Sequence, residues 1–243
     1  MDLDFTFLDQ EVFEGLSHKG IRKILSKKVN EIGELFEEVA RKRNLDFKCD
    51  KGNRKYVELG GSNKFVTFKL WYPSIAELVT FIKIQINFLE KIVFPVKKVR
   101  LQSICPDSRE LSFLFPEYYN EYRASIPFKV YDVREILCEK IRAILTRRAI
   151  KERDFIDVYF ILKKFNINLE DLEEVVIDKV RFILKLYQRY RRNFEEKAST
   201  LSAEKFPFGA EGYLLIQEID REEFFSFLMN FMGWLNEVMK RII

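Results

Sequence analysis

The chain has 243 residues, 47% hydrophobic and 15% aromatic, enough to bury a sizeable core. Against 42 Lys and Arg stand 38 Asp and Glu, so the net charge of +4 excludes a polybasic arm and confines any nucleic-acid contact to a local patch. A single histidine, His18, and three dispersed cysteines, Cys49, Cys105 and Cys138, exclude multi-histidine metal sites, serine–histidine triads, zinc-finger spacings and a disulfide framework, and point to a reducing cytoplasm.

DLDFTFL at the start alternates with period two, the pattern of a half-buried strand: Asp2, Asp4 and Thr6 share one face, Leu3, Phe5 and Phe7 the other. His18, among polar residues, takes a surface or capping role before a long helix from about Lys19 to Arg43. Its apolar stripe reads Ile21, Ile24, Leu25, Val29, Ile32, Leu35, Phe36 and Val39. Strands are expected at Asp46–Cys49, Arg54–Leu59, Phe65–Tyr72 and Phe81–Phe88, with DKGN and GGSN as turns. TFIKIQINFL is interrupted by Lys83, Gln85 and Asn87 and falls short of a membrane span of roughly 20 residues. No signal peptide precedes the first strand.

Arg100 to Pro127, with three prolines, reads as an irregular connection. Helices follow. The first has Asp132 as N-cap and Glu135 closing a capping box; others are expected at about 152–164, 169–195 and 221–242. In the 169–195 stretch Leu184, Tyr187 and Tyr190 supply apolar surface.

Three features carry chemistry. Lys140 falls on the helical stripe of Val133, Ile136, Leu137, Ile141 and Ile144, where an ammonium needs an anion or a route to water. Asp154 and Asp157, three apart on a largely apolar helix, need partners, with Arg147, Arg148, Lys151 and Arg153 close by; an Arg–Asp network locking two helices is the structural alternative. Asp2 and Asp4, at i and i+2 on a strand, form a D-x-D pair of the kind that holds a divalent metal carried by a nucleotide.

D-L-D-F at the start, E-K-x-x-A over Glu139–Ala143 and R-D-x-x-D-x-Y over Arg153–Tyr159, in this order, resemble the AbiEii/AbiGii-type nucleotidyltransferase toxin family. The resemblance runs from Asp2 to about Leu162. It implies an α+β fold, with a polymerase-β-like nucleotidyltransferase core containing a mixed sheet (residues 1–128) and an all-helical domain (residues 129–243) that completes the site. Carried over, Asp2 and Asp4 are the ligands of Mg²⁺ or Mn²⁺, and Lys140 contacts nucleotide phosphates. Asp154 and Asp157 correspond to the last acidic motif, and Lys83, Gln85 and Arg153 are substrate contacts. The implied partners are a nucleoside triphosphate, an RNA acceptor of the tRNA kind and a separately encoded antitoxin, with no membrane.

The chain departs from that family in two places. A strand, a G-G-[ST] turn and a helix should precede the D-x-D strand, yet only Met1 does, so the frame reads as cut inside the domain. Gly60, Gly61 and Ser62 spell the triplet, but between two strand-like runs, where a hairpin turn is expected. The later catalytic strand, often K-x-[ED]-I-N, is IKIQIN here, so Lys83 matches the lysine while Gln85 stands where a third carboxylate is expected. Two further classes therefore stay open: a catalytically impaired module that binds RNA or a protein, and a metal-dependent phosphodiesterase or nuclease. LKLYQRYRRNFEEK at 184–197 interleaves Tyr187 and Tyr190 with Arg189, Arg191 and Arg192, and is either an RNA-stacking surface or a solvated helix face.

Overall fold

The structure, a computed structural model, describes residues 2–61, 64–74, 78–103, 107–198, 200–201, 206 and 219–243. The chain divides into two compact units, Met1–Ile92 and Val93–Ile243.

In the first unit, alternation of side chains makes a sheet with one greasy and one polar face. Its strands are β1 (Asp2–Thr6), β2 (Val57–Gly60), β3 (Phe65–Pro73) and β4 (Val79–Asn87), in the order β1-β4-β3-β2. β1 runs parallel to β4, while β2–β3 and β3–β4 are antiparallel, so the sheet is mixed. Val66, Phe68, Leu70, Ile84 and Ile86 are buried on one face. Against this face packs α1 (His18–Lys42), with Phe36 edge-on to Phe68 at 5.2 Å.

Ser17 caps α1, accepting from Gly20 N at 3.2 Å, and His18 is its exposed first residue. The helix ends where Asn44 takes the left-handed conformation (φ 54) and Leu45 N returns to Ala40 O at 2.8 Å. The buried stripe of α1 is Leu25, Val29, Gly33 and Ala40. Leu35 and Val39, read as part of it, are exposed, because the sheet reaches only a narrow strip centred on Gly33. That glycine admits Cys49: a Cβ at position 33 would lie 2.0 Å from Cys49 Sγ. The strand expected at Asp46–Cys49 is reduced to one bridge, Asp46 to Trp71, since Cys49 N turns away to Glu37 Oε1 at 2.7 Å. The β2–β3 connection is a hairpin, with Gly60 paired to Phe65 and Gly61 at φ 55; Ser62 and Asn63 lie outside the described residues.

The second unit begins with a two-stranded ribbon, β5 (Lys97–Leu101) and β6 (Ile126–Val130), antiparallel, and two short helices between them, α2 (Arg109–Leu114) and α3 (Pro116–Arg123). The described residues of the stretch expected to be irregular therefore include two helices. Ser108 caps α2 through Leu111 N at 3.1 Å and Pro116 opens α3, but six and eight residues are too few to show helical periodicity. The helical core follows: α4 (Val133–Thr146), α5 (Glu152–Phe165), α6 (Glu173–Leu186), α7 (Gln188–Ala198) and α8 (Arg221–Ile242). Leu137, Ile141, Phe155, Val176, Leu228 and Phe231 are among the side chains buried at its centre. The single helix expected at 169–195 is broken at Tyr187, which is extended and packs edge-on to Tyr190 at 5.2 Å. Among the described residues no helix is long and apolar enough to cross a membrane.

Candidate functional site

The polar face of the sheet gathers side chains from all four strands. Cross-strand register puts Asp2 beside Lys83 and Lys83 beside Lys69; one row further on, Asp4, Gln85, Thr67 and Glu58 line up. Lys83 Nζ donates to Asp2 Oδ2 at 3.3 Å, and Gln85 Nε2 to Thr67 Oγ1 at 3.2 Å. Lys69 is taken by Glu58 at 2.8 Å. Asp4 is exposed and has no ion-pair partner among the described residues. Pairing along five residues with β4 holds this strand in place, and Phe7 anchors it by packing on Phe13 and Phe88.

Two carboxylates on one face of β1 suit Mg²⁺, which is commonly held by one or two protein carboxylates and completes its shell with substrate phosphates and water. Gln85 directs its amide nitrogen at Thr67, which leaves its carbonyl oxygen available. The residues fit a metal that arrives with a nucleotide. They do not make a preformed cage: among the described residues no three His, Cys, Asp or Glu side chains are grouped to hold a metal ion.

In the second unit, α4 and α5 bring the other expected residues together. Lys140 Nζ pairs directly with Asp157 and lies 3.7 Å from Asp154 Oδ1. Asp154, buried in the first turn of α5, accepts from Arg147 Nη1 at 2.7 Å. The two aspartates differ in kind: Asp154 has 3% of its side chain exposed, Asp157 has 43% and Lys140 33%. The arrangement thus contains both elements foreseen, an Arg–Asp lock between helices and a lysine that reaches water. Ile136, assigned to the same stripe as Lys140, is exposed, because the core-facing side of α4 centres on Leu137, Ile141 and Leu145. Arg153 is exposed at the second position of α5.

The capping box is not formed. Asp132 does cap α4, accepting from Arg134 N at 2.9 Å. Glu135 instead turns inward and accepts from Val93 N at 2.9 Å and Phe94 N at 2.8 Å. It also takes the fully buried Lys179 at 2.5 Å. Lys179 Nζ lies a further 2.6 Å from Glu139 Oε1, a close ion pair without hydrogen-bond alignment. Burial alone would push the Glu139 carboxyl up, but Arg142 and Lys179 outweigh it and hold it below the ordinary range. Sequence reading passed over this pair. Lys179 sits three after Val176 and four before Ile183, the same stripe position that drew attention to Lys140.

Cys138 is buried and its thiol is pushed up to about 12 by desolvation; Cys49, half-buried, is also raised, and Cys105 lies outside the described residues. On α7, Arg189, Arg191 and Arg192 are exposed while Tyr187 and Tyr190 are half-buried against each other, so the tyrosines are not free stacking platforms.

A family model described as nucleotidyl transferase AbiEii toxin, type IV TA system, matches residues 1–234. No curated protein and no solved structure matches the chain.

Proposed function

Because the chain belongs to the AbiEii family, nucleotidyl transferase toxins of type IV toxin–antitoxin systems, we propose that it transfers a nucleotide from a nucleoside triphosphate to an RNA acceptor of the tRNA kind. The observation that carries this reading is the polar sheet face, where Asp2 and Asp4 stand side by side and Asp4 is uncommitted. In this reading an acceptor oxygen attacks the α-phosphorus in line, a new P–O bond forms, and the bond to pyrophosphate breaks. Asp2 and Asp4 are the carboxylates for Mg²⁺ or Mn²⁺, which when bound neutralises charge on the phosphates. Lys140 supplies a positive charge for phosphate oxygens, and the buried Asp154 and half-exposed Asp157 hold its ammonium in one orientation. Lys83, Gln85 and Arg153 serve as substrate contacts. The antitoxin is the expected protein partner, and the cytoplasm the expected compartment.

A second reading is a module of the same fold that binds RNA or a protein without catalysis. It is favoured by Gln85, a neutral side chain beside Asp4, and by Lys83, which occupies Asp2.

One experiment separates the two. The protein is incubated with labelled nucleoside triphosphates, Mg²⁺ and total RNA. Label appearing on RNA with wild type and vanishing with Asp4→Ala supports transfer; label that persists in Asp4→Ala removes Asp4 from the mechanism. Tight RNA binding with no label transfer supports the module.

A further inference from the structure

A second basic site lies at the C-terminal end of α4, apart from the groups assigned to transfer. Arg148, Ile150, Asn193, Glu196, Lys197 and Thr200 line a cleft of about 320 Å³. Lys197 is 3% exposed. Its ammonium carries three donors, and among the described residues it has one acceptor, Ile144 O at 2.5 Å. Asn193, one turn earlier on α7, donates to Thr146 O at 2.9 Å. These two side chains satisfy orphan carbonyls at the end of α4, whose last turn carries no basic residue of its own. That duty uses one N–H of Lys197 and leaves two.

A buried ammonium is stable only when it is paired. The charged groups around Lys197 do not pair it. From α5, Asp154 attracts it through space, but that carboxylate is already held by Arg147 at 2.7 Å and approached by Lys140 at 3.7 Å. From the end of α4, Arg147 repels it, and Arg148 adds a second guanidinium on the cleft wall with no partner among the described residues. From α7 itself, Glu196 is exposed and has an interaction of its own. Of the charged groups that line the cleft, the cations Arg148 and Lys197 outnumber the one carboxylate, Glu196.

We propose that this cleft binds a phosphate group, with Lys197 and Arg148 as its cationic donors. A tetrahedral oxyanion takes several N–H bonds at once, which matches a guanidinium fork beside a lysine with spare donors. The cleft sits at the small end of ligand pockets, suited to a phosphate ester with one attached sugar rather than a long chain segment. A mononucleotide and the 5′ end of an RNA both present that group. Burial lowers the Lys197 ammonium to about 8, with Asp154 opposing the shift and Arg147 adding to it. Binding of an anion therefore weakens as pH rises through that value.

The test is equilibrium binding to the full chain, with no turnover required, so it stands or falls independently of nucleotide transfer. Probes are inorganic phosphate, AMP, and matched oligoribonucleotides with a 5′-phosphate or a 5′-hydroxyl. Wild type should bind phosphate saturably, and Arg148→Ala should weaken it about tenfold. Lys197→Met should do the same; if that variant fails to fold, Arg148→Ala, on an exposed side chain, still decides. Sulfate, whose charge is constant, should bind more weakly at about pH 9 than at about pH 7. Tighter binding of AMP assigns the site to a nucleotide, and preference for the 5′-phosphorylated oligonucleotide assigns it to an RNA end. Phosphate affinity unchanged in Arg148→Ala, or the absence of saturable binding of any probe, overturns the proposal.

Discussion

Lys179 Nζ lies 2.5 Å from Glu135 Oε1, and neither side chain has any surface exposed. The remaining oxygen of Glu135 holds the backbone N–H groups of Val93 and Phe94, so one carboxylate ties the first residues of the helical unit to α4 and α6. Removing one partner strands a buried charge. Lys179→Met should therefore destabilise the fold by about 3–5 kcal/mol, read as a lowered urea midpoint, whereas a paired Lys179→Met/Glu135→Leu replacement should cost less than the sum of the two single changes. Additive effects would show that the two residues do not act as a pair.

Lys140 is the contrasting case. Its side chain reaches solvent, and if it is removed the buried Asp154 still has Arg147. Lys140→Ala is expected to cost about 1 kcal/mol or less in stability, as for other partly exposed pairs, while nucleotide transfer is lost. Arg147→Ala should do the reverse, lowering the melting temperature by leaving Asp154 poorly compensated. Thermal melts and transfer assays on both variants check this; a large melting shift for Lys140→Ala with transfer intact would make the lysine structural.

Gly33 is required by the close approach of Cys49. Gly33→Ala should cost about 1–3 kcal/mol through overpacking, despite the better helix propensity of alanine. Cys49→Ala in the same chain should restore part of that loss, since it removes the sulfur at 2.0 Å but leaves Cys49 Cβ at 2.8 Å. Urea midpoints of the two single variants and the double variant give the coupling directly.

Asp132 caps α4 and also engages the Arg134 side chain and Lys97, and the Arg134 guanidinium foremost holds its carboxyl far below the ordinary range. The folded state thus favours the ionised form. The stabilisation is fully present above the ordinary carboxylate value of about 4 and is lost as pH falls below it. Asp132→Ala should cost about 1–2 kcal/mol at neutral pH, the usual range for an N-cap. The difference in urea midpoint between wild type and Asp132→Asn should shrink as the buffer is taken from neutral to about pH 3.

The linear pattern determined a good deal here. Period-two alternation placed β1, the flanking turn signals helped to bound β3, and the helical stripes placed α1 and α4, because these local patterns need no knowledge of distant partners. The spacing of Lys140, Asp154 and Asp157 also foretold that α4 and α5 carry complementary charges, since buried charges must find partners. Only the folded chain decided which partner each group takes. Glu135 is drawn off its cap by Lys179, 44 residues away, and Asp154 is divided between Arg147 and Lys140. Lys197 points at the end of a helix 53 residues earlier. The physical reason is that a lone charge gains most from whatever opposite charge or carbonyl shares its low-dielectric surroundings, and sequence distance says nothing about which group that will be.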